Sequence, residues 1–246
     1  MAIPGNKTAL ITGATGGFGS ATAIALAKEG GWDLALQFNS ATVAVRDALS
    51  EKIVATRKGP KGQCRISFYM ADMGDYGNVR KLYKEVAGDF GGVDVLFNNA
   101  GASGGLSGVQ GLNDVPFEVF ETTWRINTGS AILLTQLCLP YMEEQGWGRI
   151  VFCSSVAAFT GGFVGPHYAS SKSAQHGFVH WLANNVAKKG ITVNGIAPAM
   201  VGGTSMMDAN QDEEVKKRIE SRESFHVGWL MRWMLTLVIQ AYRSGG

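Results

Sequence analysis

Six short runs of aliphatic and β-branched residues punctuate the chain: Thr8–Thr12, Leu34–Phe38, Ile66–Met70, Val93–Phe97, Ile150–Cys153 and Thr192–Ile196. Each has strand length and is nearly continuous in apolar character, so each predicts a strand with both faces covered. Between them, Ser20–Glu29, Ala41–Thr56, Val79–Phe90, Ala131–Glu144 and Ala169–Lys188 have helical length and a helical pattern. Parallel strands need crossovers long enough to hold a helix. The alternation therefore predicts an α/β fold: a doubly wound, mostly parallel sheet with helices on both faces. In that architecture ligands sit beyond the carboxyl ends of the strands, so the residues just after each strand are the candidates for function. No repeat, low-complexity tract or Pro/Gly/Ser-rich linker divides residues 1–246, and one domain is expected.

Composition narrows the class. With 46% apolar and 17% charged residues, the chain has the balance of a protein with a sizeable core. A net charge of +2, without any run of five basic residues, argues against nucleic acid as a partner. Cys64, Cys138 and Cys153 show no CxxC spacing and are expected as reduced core thiols, with neither a metal nor a disulfide role. The N-terminal residues lack a basic stretch followed by a long apolar one, which predicts no secretory signal and a cytosolic protein. The apolar stretch Val227 to Ala241 is interrupted by Arg232 and falls short of the ~20 residues a membrane span needs; it is expected as a buried or interface helix.

Three constellations carry candidate chemistry. The first strand runs into Thr12-Gly13-Ala14-Thr15-Gly16-Gly17-Phe18-Gly19 and then directly into a helical pattern. Glycines there let backbone approach a pyrophosphate, whose charge is favoured by free N–H groups at a helix start. A glycine-rich turn alone also fits a purely structural turn, and its TGxxxGxG spacing is not that of the GxGxxG fingerprint. The fourth strand ends in Asn98-Asn99-Ala100-Gly101, where small residues leave room for a flat ligand and an Asn ties neighbouring backbone together. The third is Ser155, Tyr168 and Lys172. Tyr168 and Lys172 are four residues apart on one helical face. A free phenol has a pKa of about 10, and a nearby ammonium would lower it toward the range useful for proton exchange. Tyr168 then suits the acid of carbonyl reduction or the base of alcohol oxidation, with Ser155 hydrogen-bonding the substrate oxygen. A YxxxK pair in isolation also fits a surface pair.

In their order and spacing, Thr12–Gly19, Asn98–Gly101, Ser155, Tyr168-Ala169-Ser170-Ser171-Lys172 and Asn194-Gly195-Ile196-Ala197-Pro198 resemble the short-chain dehydrogenase/reductase family, a single Rossmann-like domain. Within it, the chain is similar to the 3-oxoacyl-acyl-carrier-protein reductases. The resemblance extends to residue 206. It implies a catalytic set of Asn127, Ser155, Tyr168 and Lys172, with Asn127 holding a water that links the lysine to solvent and Lys172 also binding the nicotinamide ribose. It further implies cofactor contacts from Gly13, Thr15, Gly17, Phe18 and Gly19 in the glycine turn, from Asp72 and Met73 beside the adenine, from Asn99, Ala100 and Gly101, and from Pro198 and Thr204 beside the nicotinamide. The mechanism implied is direct hydride transfer from nicotinamide C4, without a metal.

Cofactor choice turns on the end of the second strand, where an acid would take the ribose hydroxyls of NAD and repel a 2′-phosphate. Here the sequence is Gln37-Phe38-Asn39-Ser40, and Asp33, at the start of that strand, reads as a turn residue. Two neutral hydrogen-bonding residues, Asn39 and Ser40, favour NADP(H) over NAD(H), although no arginine follows Phe38 directly. The function implied is NADPH-dependent reduction of a small-molecule ketone, a 3-oxoacyl thioester or related β-keto compound, with an acyl carrier protein as a candidate carrier. NAD-dependent oxidation of a secondary alcohol and a catalytically idle dinucleotide-binding protein stay open.

The chain also departs from the family. Pro198-Ala199 replaces the usual Pro-Gly, restricting the backbone where the substrate loop begins. Residues 224–246 show no clear last strand, which bears on the dimer or tetramer that the resemblance otherwise implies. His167 reads as structural, and Lys188 and Lys189 as complements to a helix dipole. Specificity is expected in the loops Ala102–Val115, Ala157–Pro166 and Ala199–Glu223.

Overall fold

A computed structural model describes residues 5–57 and 64–199. Thr204, the substrate loop beyond Ala199 and the expectations for residues 224–246, including the Val227 to Ala241 helix, lie outside the described residues. Within them the chain forms β1 (Lys7–Ile11), α1 (Gly17–Glu29), β2 (Trp32–Phe38), α2 (Val43–Thr56), β3 (Ile66–Met70), α3 (Tyr76–Phe90), β4 (Val95–Asn98), α4 (Phe117–Trp124), α5 (Ser130–Gln145), β5 (Gly148–Cys153), α6 (Ala157–Thr160), α7 (Pro166–Val186) and β6 (Ile191–Ile196). The strands make one sheet in the order β3-β2-β1-β4-β5-β6. Every pairing is parallel, with Ala9 opposite Val95 across β1 and β4 and Leu10 opposite Ala35 and Leu96 on its two sides.

Side-chain alternation divides the sheet between two cores. Leu10, Leu96, Ile150 and Phe152 face one side, where they meet Val79, Leu82 and Val86 of α3, Leu134, Cys138 and Met142 of α5, and Leu182 and Val186 of α7. Ala9, Ile11, Leu34, Leu36, Val95, Phe97 and Val151 face the other, against Ala23 and Leu26 of α1 and Leu49 and Ile53 of α2. Both faces of the strands are consumed, which is why their sequences read as unbroken apolar runs. Because the chain leaves β1 for β2 on one side and returns to β4 on the other, a crevice opens at the carboxyl ends of β1 and β4. Among the described residues, no helix is long and apolar enough to cross a membrane.

All six strands and five helices stand where periodicity puts them, within a few residues at their ends. Four elements were not expected, one of them a 3-10 turn at Leu112–Asp114 inside the expected loop Ala102–Val115. α4, with Pro116 at its N-cap, is a short helix between loop and turn. Residues Arg125–Gly129 form a π-helical turn that carries it into α5. α6 is a single turn inside the expected loop Ala157–Pro166. Asp33 is also not a turn residue. It sits inside β2, fully buried, and accepts hydrogen bonds from Asn6 Nδ2 at 2.8 Å and the Arg65 amide at 3.0 Å. Those donors offset the cost of burying its charge. Cys138 and Cys153 are core thiols as expected, but Cys64 is only partly buried, with burial and the Asp33 carboxylate raising its pKa to about 11. Lys189 reaches across to Glu143 at 2.7 Å.

Phe152, on β5 between β4 and β6, packs edge-on against Phe178 of α7 at 5.7 Å between centroids. Phe152→Ala is expected to lower unfolding stability by about 3–5 kcal/mol, since both the transfer term and a cavity term are lost. Urea denaturation followed by circular dichroism measures it.

Candidate active site

The turn after β1 is tied to the end of β4. The Thr12 hydroxyl donates to the Phe97 carbonyl at 3.2 Å and accepts from the Asn99 and Ala100 amides, both at 2.9 Å. In the opposite direction, Asn99 Nδ2 donates to the Thr12 carbonyl at 2.8 Å and that of Gly13 at 3.1 Å. Gln37, on β2, joins in: its Oε1 accepts from the Gly13 amide and its Nε2 donates to the Ala71 carbonyl, each at 2.7 Å. One side chain thus connects the ends of three adjacent strands.

Two glycines are demanded by this geometry. Gly13 has a φ of +61°, in the left-handed region, and packs against Ala100. Gly19 lies in the first turn of α1, where a Cβ would collide with the Gly13 carbonyl and the Ala14 Cα. Its role is to let the helix start lie against the turn; unlike Gly13, Thr15, Gly17 and Phe18, it does not face the crevice. α1 has no side-chain cap and no acid in its first turn, so its leading amides remain available to an anion.

The crevice is a cleft of about 620 Å³. Its lining follows the carboxyl ends of the strands: Asp72 and Met73 after β3, Asn39 and Ser40 after β2, Asn99, Ala100 and Gly101 after β4, Ser155 after β5 and Pro198 after β6, with Tyr168 and Lys172 from α7. The long cleft over a glycine cradle that a Cβ would fill is a shape that fits a dinucleotide with its pyrophosphate at the start of α1.

At the reacting end, α7 presents Tyr168 and Lys172 one turn apart. The Ser155 hydroxyl accepts from the Ala157 amide at 3.1 Å and lies near enough to the Tyr168 phenol to act on its pKa. Lys172 is fully desolvated and donates through Nζ to the Cys153 carbonyl at 2.6 Å, with Nζ 5.7 Å from the centroid of the Tyr168 ring. The expectation that the ammonium would lower the phenol's pKa is corrected here. Burial dominates and raises Tyr168 to about 12, the Cys153 thiol adds to the rise, and the Ser155 hydrogen bond opposes it. Burial likewise lowers Lys172. Both groups are pushed toward their neutral forms by the same lack of water. Tyr168 is therefore held as a proton donor at neutral pH.

Asn127 does not line the cleft; it lies one layer behind it, in the π-helical turn. Its Oδ1 accepts from the Ala102 amide at 2.7 Å, and its Nδ2 donates to the Ala102 carbonyl and the Ser171 hydroxyl, both at 2.9 Å. Gly101 sits between Asn127 Oδ1 and Lys172 Nζ, each 3.3 Å from where its Cβ would be. The Asn127 carbonyl accepts from Gln175 Nε2 at 2.6 Å. Gln175 was not singled out from sequence, although its place three residues after Lys172 puts it on the same helical face. Thr12, Gln37, Cys153 and Ser154 were also missed. Thr12 and Gln37 stand inside the runs of the glycine turn and the end of the second strand but had no role of their own there, and all four act through contacts distant in sequence. His167 is structural, as expected: it is buried, with Nε2 2.7 Å from the Ser103 carbonyl and its ring edge-on to Phe120.

Thr12→Val removes the acceptor shared by two backbone amides, so unfolding stability should fall by about 1–3 kcal/mol. Dinucleotide affinity should fall with it, because Gly13 would lose its fixed position. Thermal melts with and without NADPH separate the two effects.

The model of the short chain dehydrogenase family matches residues 7–215. The chain is 33% identical over 195 residues to D-beta-hydroxybutyrate dehydrogenase of Cupriavidus necator, covering 79% of this chain and 70% of that protein. It is 30% identical over 216 residues to the 3-oxoacyl-acyl-carrier-protein reductase of Haemophilus influenzae, covering 85% of this chain and 79% of that one. A solved structure attributed to a short-chain alcohol dehydrogenase from Sinorhizobium meliloti superimposes with a TM-score of 0.80 at 26% identity, over 96% of this chain and 90% of that chain.

Proposed function

The chain belongs to the short chain dehydrogenase family, a family of NAD(P)-dependent oxidoreductases of hydroxyl and keto groups, and from that premise we propose that it is an NADPH-dependent ketone reductase whose substrate is a 3-oxoacyl thioester or a related small β-keto compound. The observation that carries the reaction is the convergence of Ser155, Tyr168 and Lys172 on the same cleft as the glycine turn after β1. The acyl-thioester reading is supported by likeness to the Haemophilus influenzae reductase. NADPH is supported by the neutral run Gln37-Phe38-Asn39-Ser40-Ala41 at the adenosine end, which offers no carboxylate to repel a 2′-phosphate.

Gly13, Thr15, Gly17 and Phe18 would hold the pyrophosphate, Asp72 and Met73 would flank the adenine, and Asn99 to Gly101, Pro198 and Lys172 would receive the nicotinamide ribose. A nicotinamide bound there would supply hydride chemistry to the carbonyl carbon. The Ser155 hydroxyl and the Tyr168 phenol hold the carbonyl oxygen between them, polarising it and fixing its distance from the hydride donor. Tyr168 gives that oxygen its proton as the hydride arrives, so the ketone leaves as an alcohol and the phenolate remains. The Lys172 ammonium, 5.7 Å from the Tyr168 ring centroid, stabilises this phenolate, while Asn127 keeps Gly101 and Ala102 in place beside it.

Tyr168→Phe should lower kcat for ketone reduction by about 10²–10⁴-fold, the usual worth of a positioned acid, with NADPH affinity unchanged by fluorescence titration; full retention of turnover would overturn the mechanism. The pH dependence has a definite sign. Reduction uses the phenol, which burial keeps protonated, whereas alcohol oxidation uses the phenolate. The oxidation rate should therefore climb through the alkaline range toward the raised pKa of Tyr168 while the reduction rate does not. Initial rates in both directions on one substrate pair check it.

A further inference from the structure

No basic side chain directly follows Phe38 in sequence, yet the fold brings one there. Arg46 is the fourth residue of α2, and helical side chains lean toward the helix N-terminus. Its guanidinium accordingly returns over the end of β2, with Cζ 4.7 Å from the centroid of the Phe38 ring. Phe38 is the last residue of β2, and the three residues after it, Asn39, Ser40 and Ala41, line the cleft. Arg46 Nε is shielded from solvent and has no hydrogen-bond partner, and among the described residues the guanidinium pairs with no carboxylate. The first turn of α2 carries no acid. A permanently charged, planar five-donor group is thus mounted on an aromatic ring beside the adenosine end of the cleft, with its hydrogen-bonding capacity unspent.

We propose that Arg46, stacked on Phe38, reads the 2′-phosphate monoester of NADP(H), acting with Asn39 and Ser40 as the specificity determinant for the cofactor. The assignment rests on the NADPH reading above. A phosphate dianion takes two parallel N–H donors from a guanidinium, whereas the 2′-hydroxyl of NADH offers no charge to meet it. Stacking on Phe38 limits the rotamers of a long side chain, so little further ordering is needed when the phosphate arrives. The contribution of Arg46 is therefore selective for NADPH.

The test is equilibrium titration of the full chain with NADPH and with NADH, following quenching of its six tryptophans, for the wild type, Arg46→Met and Arg46→Lys. Arg46→Met keeps an aliphatic stem over Phe38 and should weaken NADPH by about 10–100-fold, the worth of charge-assisted hydrogen bonds, while leaving NADH unchanged. Arg46→Lys, which keeps the charge without the fork, should fall between. Wild-type affinity for NADPH should drop more steeply with salt than that of Arg46→Met. Ligand-free melting curves confirm that both variants are folded. If the wild type prefers NADPH and Arg46→Met keeps that preference, Arg46 is not the reader and the NADPH reading stands without it. If Arg46→Met weakens both cofactors equally, the residue only supports the adenosine end and the assignment is overturned. If the wild type binds both equally, the NADPH reading falls and this assignment falls with it.

Discussion

The Thr12 hydroxyl and the Asn99 amide lock the turn after β1 to the end of β4, and the site is built outward from that lock. β1 and β4 are neighbours in the sheet although more than eighty residues separate the locked groups, and their carboxyl ends diverge into crossovers on opposite faces. Without a cross-link at this point the two strands would present a loose gap. With it, Gly13 is held in a left-handed conformation, Gln37 fastens the next strand to the same turn, and the first turn of α1 is aimed into the crevice. Each hydrogen bond involved is buried or partly buried, so losing any of them strands a polar group away from water.

The opposite end of the cleft is governed by desolvation. Tyr168 and Lys172 are buried together against the end of β5, and burial acts on each more strongly than either acts on the other. The phenol retains its proton and the amine is pushed toward losing one, an arrangement ready to deliver a proton to a carbonyl oxygen. The Ser155 hydroxyl works against burial and favours the phenolate, which makes it a partner of the tyrosine. Asn127, behind Gly101 and Ala102, fixes the backbone that separates these groups from the centre of the cleft.

Much of this was legible in the chain itself. The unbroken apolar runs announce strands with two covered faces, and the structure covers both. TGxxxGxG, NNAG, Ser155 and YASSK each stand directly after a strand or on the helix that follows, which is how local chemistry reveals where a crevice opens. Lys172 could be placed beside Tyr168 because helical spacing is a local property. α4 and the π-helical turn escaped notice because residues 102–130 have no sustained period, and a helix of eight residues offers too few positions to show one. Asp33 was misread because a charged residue at a strand's start resembles a turn until its two hydrogen-bond donors, from distant parts of the chain, are known.

Sequence alone therefore determined the doubly wound α/β class and the family, since these follow from periodicity and from motifs whose members lie within a few residues of one another. The tertiary structure decided what depends on surroundings. It set the direction in which Tyr168 and Lys172 are shifted, because burial is a property of the packed whole. It placed Asn127 behind the cleft and Gly19 in a packing role, and it made Gln37 a bracket between three strands. It also carried Arg46 back over Phe38 through the lean of a helical side chain, a contact that no linear spacing from the end of β2 expresses.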